Sequence, residues 1–285
     1  MANLNITVAT LDEGVAKAAI EGWQKATFES LLDSFHTTPA PGKDGRLQIK
    51  RFQTFVLDKE AAMDLLDPAN NNATLRVYQG IDQKTNKFAF IVQGRKKDNN
   101  MNPSYAGCYL AENIEKQLDE NNSNLPVHSQ TTTIPFSLAK LYVDGWNTRA
   151  TNEIIDSFHA PITDSLTKAT EIERAAFYTY SSQDVQDLKD ILKSNPGLEV
   201  SNLFFFMGAG DPNPEYGHPF AYRPILRAVF SEKDEKTKVD PMIGTALNIP
   251  PQVKFETTES GTGGVVTLEF AAPCPPFCGG GGGSL

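Results

Sequence analysis

Cysteine is scarce in this 285-residue chain: there are three, an odd number, and Cys108 stands far from Cys274 and Cys278, so no disulfide framework organises the fold. Long apolar runs are missing too. No stretch approaches the roughly 20 consecutive apolar residues that a membrane helix requires, so no membrane partner is expected. Positive charge is in deficit, with 26 Lys and Arg against 35 Asp and Glu and a net charge of −9. That balance opposes attraction to phosphate backbones and excludes nucleic acid as the expected partner. The one compact basic run, Arg95-Lys96-Lys97, is followed by Asp98-Asn99-Asn100 and reads as a solvated turn. Met1-Ala2-Asn3-Leu4-Asn5 does not resemble a secretory leader, which places the protein in the cytoplasm as an expectation. Catalytic signatures are also lacking. Neither a Gly-x-Ser-x-Gly elbow nor a His-Glu-x-x-His zinc helix accompanies the loop histidine His218.

What the chain does have is a repeat. Gly22-Trp23 followed by Asp33-Ser34-Phe35-His36 recurs as Gly145-Trp146 followed by Asp156-Ser157-Phe158-His159, at an offset of 123 residues and without a gap. The two blocks contain both tryptophans and two of the four histidines. Two copies of one supersecondary unit usually bury their apolar faces against each other, so pseudo-twofold packing of two halves is expected. A hydrophobic content of 40% with 21% charged residues supplies ordinary globular cores for both.

Periodicity fills in each copy. Thr10-Leu11-Asp12-Glu13 fits a capping box, and apolar residues from Ile20 through Phe35 lie largely at helical spacings, predicting one long helix that Pro39 stops. Leu138 to Phe158 draws a similar stripe, ended by Pro161. Phe52–Phe55 and Phe177–Tyr180 read as strands matched at an offset of 125, followed by short helices at Lys59–Leu66 and Ser182–Leu192. A second strand follows at Leu75–Gly80 and at Leu203–Gly208, where the offset reaches 128, and the five added residues are assigned to loops. Third strands are expected at Phe88–Gln93 and Ile225–Phe230. Between the halves a polar connector carries a short helix at Cys108–Leu118. Gln252–Thr257 and Val265–Phe270 bracket a Gly-rich turn and predict a β-hairpin without counterpart in the first half. The Cys274-to-Cys278 segment and its five glycines form a tail whose Gly-Ser end resembles an engineered linker.

The expected fold is therefore α+β: two tandem homologous halves, each a long helix on a small mixed or antiparallel sheet, with a C-terminal hairpin and a Gly-rich tail. The boundaries fall at residues 1–98, 99–133 (connector), 134–232, 233–272 and 273–285.

The chemistry is less specific. Asp33 with His36, and Asp156 with His159, share a helix face, and if the halves brought both pairs together they would offer a four-ligand set suited to zinc or iron. Against this, a histidine in a last helical turn favourably meets the negative helix end, and neighbouring Asp and Ser bond local backbone. No cofactor is expected on that account. Gly22-Trp23 and Gly145-Trp146, together with Phe35 and Phe158, read as packing devices rather than ligand-stacking platforms. Gly208 to Pro214 follows a strand as a phosphate loop does, but Pro212 and Pro214 remove the amides such a loop needs. Cys274 and Cys278 match neither a redox pair nor a zinc set and read as free thiols. The function expected is a noncatalytic structural or interaction protein, a subunit of a homo-oligomer. Partners are then further copies or another protein; the alternatives are a metal-dependent module using the Asp-x-x-His pairs and a small-ligand binder between the halves.

Overall fold

The computed structural model describes residues 10–41, 45–96, 104–116, 118, 136–163, 170–210, 221–232, 265–268 and 272–274. The first half runs α1 (Glu13–Lys25), α2 (Phe28–Ser34), β1 (Ala40–Pro41), β2 (Leu47–Gln48), β3 (Thr54–Leu57), α3 (Lys59–Leu66), a 3-10 turn at Pro68–Asn70, β4 (Asn72–Ile81), β5 (Phe88–Lys96) and β6 (Cys108–Ile114). The second runs α4 (Phe136–Thr148), α5 (Thr151–Ser157), β7 (His159–Thr163), β8 (Thr170–Arg174), β9 (Phe177–Tyr180), α6 (Ser182–Ser194), β10 (Leu198–Phe206), β11 (Ala209–Gly210), β12 (Ala221–Tyr222) and β13 (Ile225–Glu232). Two further strands follow, β14 (Val265–Leu268) and β15 (Ala272–Cys274).

The architecture is α+β, but the expectation of a small sheet in each half is corrected. Among the described residues nine strands form one antiparallel sheet in the order β14-β13-β10-β3-β6-β5-β4-β9-β15. The halves exchange strands: β3 pairs with β10, and β9 pairs with β4. Helices cross over as well, since α3 packs on β10 and α6 on β4. The sheet is also curled. Its terminal strands β14 and β15 are separated by residues 269–271 alone, and four Cα steps of about 3.8 Å span at most ~15 Å, so the two ends of the sheet must come together.

Several local expectations change with this topology. Cys108–Ile114 is a strand, not a connector helix; its first part pairs with β5 and its last part with β3. The pair β14 and β15 makes the corresponding contacts in the second half, with β13 and β9 respectively. The C-terminal segment thus does have a topological counterpart, β6. The first arm of the expected hairpin lies outside the described residues, and Val265–Leu268 takes β13 as its partner instead. The five added residues lengthen a helix rather than a loop, because α6 has 13 residues where α3 has 8.

Each long helix is in fact broken into two. The Asp12 carboxylate caps α1 by accepting from the amides of Gly14 and Val15, while Thr10 bridges to Tyr109, so the expected Thr10 capping box does not form. Glu13 is used elsewhere, accepting from Ser104 Oγ and Tyr105 N. Ala26 then turns extended, and the Thr27 hydroxyl caps α2 by accepting from Ser30 N. In the second half the Glu153 carboxylate accepts from Ala150 N at the same kind of break.

Alternation along the strands separates an inner face from an outer one. Inward residues such as Leu75, Val77, Phe90, Phe205 and Leu226 belong to the main core. The outer face is covered by α1, whose Ala16, Ala19 and Ile20 pack with Tyr78 and Ile91, and by α4, whose Ala139, Tyr142 and Val143 pack with Phe204 and Phe206. Gln79 is the exception on the inner face: it is fully buried, and neither its Nε2 nor its Oε1 has a hydrogen-bond partner.

Candidate functional site

The repeated residues meet where the halves touch. Trp23, Phe35, Trp146 and Phe158 are all 0% exposed and form one aromatic cluster. Phe35 and Phe158, counterparts in the repeat, stack with centroids 5.6 Å apart and planes at 10°. Trp23 stands edge-on to Phe158 at 5.0 Å, and Trp146 stands edge-on to Phe35 at 5.8 Å. Edge-to-face and offset contacts of this kind add about 0.5–1.5 kcal/mol each beyond area burial.

Polar contacts repeat the same reciprocity. The Trp23 indole N–H donates to Ala175 O at 2.9 Å, and the Trp146 indole N–H donates to Phe52 O at 2.7 Å. Arg174 Nη1 donates to Trp23 O at 2.6 Å and Ala26 O at 3.0 Å, where α1 ends. Arg51 Nη1 donates to Trp146 O at 2.6 Å and Arg149 O at 2.8 Å, where α4 ends. The last carbonyls of a helix have no intrahelical partner, so each half supplies the C-terminal cap of the other half's helix.

Arg51 and Arg174 were not among the expected site residues, although they are identical at the 123 offset. Matching Phe52–Phe55 to Phe177–Tyr180 at offset 125 hid them. The structure makes Phe52 the counterpart of Ala175, each accepting from an indole, and β3 (Thr54–Leu57) the counterpart of β9 (Phe177–Tyr180). A two-residue slip preserves strand alternation, so pattern alone does not detect it.

The glycines of the repeat differ in what they permit. A Cβ on Gly145 would stand 2.4 Å from the backbone oxygen of Ala209, whereas on Gly22 it would meet the end of the Gln83 side chain. Gly145→Ala is expected to destabilise the fold by about 1–2 kcal/mol net, because overpacking against backbone outweighs the ~1 kcal/mol helical advantage of alanine. Gly22→Ala is expected to be close to neutral. Chemical denaturation of the two variants checks the contrast.

No protein-family model, curated protein or solved structure matches the chain.

The Asp-x-x-His residues hold local backbone. His36 Nδ1 lies 3.1 Å from Leu32 O, and His159 Nδ1 lies 3.2 Å from Asp156 O. Carbonyls only accept, so both Nδ1 atoms carry the proton in these contacts. Burial lowers the His36 pKa below the ordinary imidazole value, against the raising effect of Leu32 O. Ser34 Oγ donates to Leu31 O and Ser157 Oγ to Ile154 O. Among the described residues, no group of three or more His, Cys, Asp or Glu side chains is placed to hold a metal ion, so Asp33, His36, Asp156 and His159 do not gather into the four-ligand set.

Further rings join the cluster where the halves meet. Tyr222 packs 4.3 Å from Phe158 and donates its hydroxyl to Met207 Sδ at 3.2 Å, and burial raises its pKa. Cys108 is buried and free, its thiol pushed up to about 12 by burial. Cys278, His218, Pro212 and Pro214 lie outside the described residues, and of Cys274 only the backbone, in β15, is described. The expected turn at Arg95-Lys96-Lys97 is corrected: Arg95 and Lys96 end β5, and Arg95 is buried because it points to the outer face beside Ser104. No helix among the described residues is long and apolar enough to cross a membrane.

Proposed function

We propose that the protein is a noncatalytic interaction protein that assembles with further copies of itself, built from two tandem homologous halves. The duplication is supported by the reciprocal clasp: Trp23, Phe35, Arg51 and their counterparts at offset 123 make matching contacts across the halves. This use of the repeat in packing leaves the binding role to other surfaces.

The observation that carries self-association is the β1–β2 ribbon. It pairs with no other strand among the described residues, and Leu47 on it and Ile49 just after it are 70% and 62% exposed. The backbones of β7 and β8 form a second two-stranded ribbon at the corresponding place in the other half. Unpaired strand edges with apolar side chains are templates for strand addition. The curled main sheet turns its terminal strands toward each other and the third two-stranded pair, β11–β12, has Ala209 and Tyr222 buried, so among the described residues the two ribbons offer edges for pairing. A molecule carrying two equivalent ribbons can accept two neighbours and thereby build a ring or a chain of copies.

Sedimentation velocity over micromolar concentrations tests the reading. The chain is expected to sediment as larger species with rising concentration, and Leu47→Lys combined with Ile49→Lys to weaken association at least ten-fold, since burying one such side chain contributes about 1.5–3 kcal/mol. A strict monomer throughout, or unchanged association in the double variant, would count against it.

A further inference from the structure

The outer face of β4 and β5 breaks the correspondence between the halves. β10 meets β3 with Leu203 opposite Leu57 and Phe206 opposite Thr54, as β4 meets β9 with Leu75 opposite Tyr180 and Tyr78 opposite Phe177. Phe204 and Phe206 therefore occupy the places of Arg76 and Tyr78. At the next pairing Asn202 faces Val229 as Thr74 faces Arg95, so Val229 occupies the place of Arg95. In the second half Phe204, Phe206 and Val229 join an apolar cluster beneath α4. The second half is thus apolar at these three positions, with the buried Arg227 on the same face in the place of Gln93, and the first half has two guanidiniums and a phenol there instead.

Among the described residues these guanidiniums have no carboxylate partner. Arg95 is 6% exposed; its Nη1 donates to Ser104 O at 3.2 Å and reaches Gln93 Oε1 at 3.4 Å, and its buried Nε has no partner. Arg76 Nε is also buried without a partner, and the guanidinium stands 4.0 Å over the Phe177 ring. Neither arginine belongs to any ion pair among the described residues. Of the two acids on α1, Glu13 accepts from Ser104 Oγ and Tyr105 N at the rim of this cluster and is in no ion pair with either arginine, and Glu21 pairs with Lys25 at 2.9 Å. Buried charge without a counter-charge is costly, and in a chain of net charge −9 it is not for want of carboxylates.

The surroundings suit an anion. The Tyr78 hydroxyl donates to Gln93 Oε1 at 3.0 Å and so shares the oxygen that Arg95 Nη1 reaches only at 3.4 Å. Tyr105 stands edge-on to Tyr78 at 5.5 Å and is half-buried, as is Arg76, while Ser104 is exposed, so the cluster is open to solvent on that side.

We propose that Arg76 and Arg95 form a binding site for the oxyanion group, phosphate or carboxylate, of a small molecule whose apolar part lies against Tyr105. Planar guanidinium forks match both groups geometrically, and pairing in a half-buried place strengthens the charge-assisted bonds. The site stands apart from the ribbons and from self-association.

Isothermal titration of the full chain with inorganic phosphate, and separately with acetate, at constant ionic strength tests it. Saturable one-site binding is expected, at least ten-fold weaker in Arg95→Gln and in Arg76→Gln and unchanged in Lys84→Gln, whose side chain is exposed. Tighter phosphate binding assigns a phosphoryl ligand, and tighter acetate binding a carboxylate. Absence of saturable heat with both anions overturns the proposal, as does equal binding by the wild type and the arginine variants. Should Arg95→Gln fail to fold, the half-exposed Arg76→Gln decides alone.

Discussion

Trp146→Ala is expected to destabilise the chain by about 3–5 kcal/mol, the range for removing a fully buried large aromatic from a core. Three losses combine there. The cavity opens beneath ring contacts to Phe35, Phe158 and Tyr222, at 5.8, 6.1 and 5.8 Å respectively. The Phe52 carbonyl loses the indole donor that now stands 2.7 Å away, and an unsatisfied buried acceptor costs about 1–3 kcal/mol within that total. Trp146→Phe separates these parts, since it retains an aromatic ring and removes the N–H, and it is expected to lose roughly half as much. Urea unfolding measures both. Because Trp23 holds the reciprocal position, Trp23→Ala should cost nearly the same; a loss below about 1 kcal/mol at either tryptophan would mean that the clasp does not hold the halves together.

Arg51→Met is expected to cost about 2–4 kcal/mol, from the loss of charge-assisted bonds to Trp146 O, Arg149 O and Thr151 Oγ1. Methionine keeps much of the apolar stem, so the loss reports the cap rather than packing. Lysine should restore only part of it, because one ammonium cannot reproduce the fork. Salt distinguishes this role from an ion pair. The acceptors are neutral, so the difference between wild type and Arg51→Met should change little between low and high ionic strength, whereas strong salt dependence would reassign Arg51 to pairing with a carboxylate.

The legible part of this fold was the part that is local. Helical stripes placed α1, α2, α4 and α5, and the Gly-Trp and Asp-Ser-Phe-His blocks marked the contact between halves. What the stripe did not reveal was the break at Ala26 and Thr27, because the residue that draws out the carbonyls there is Arg174, some 150 positions away. Strand exchange was hidden for a related reason. Thr54–Leu57 and Phe177–Tyr180 look the same whether they pair within their own half or with the other, since alternation encodes a face and not a partner. Cys108–Leu118 suggests a short helix, but the seven residues Cys108–Ile114 are too few for periodicity to arbitrate, and their place as a strand between β5 and β3 depends on both neighbours. The anion site was legible only by subtraction: Arg76 and Arg95 become conspicuous once Phe204 and Val229 are known to occupy their places.

The exchanged strands also set the order in which the molecule can be made. A nascent chain that has emerged only through residue 118 contains β3 and β4 but neither β10 nor β9, which supply one neighbour to each, and it lacks the Trp146 and Phe158 rings that complete its aromatic contacts. Domains that fold one after another during synthesis can leave the ribosome half finished and stable. The first half of this chain is expected to wait, with strand edges unpaired, until β9 and β10 have appeared, so its folding depends on long-range pairing.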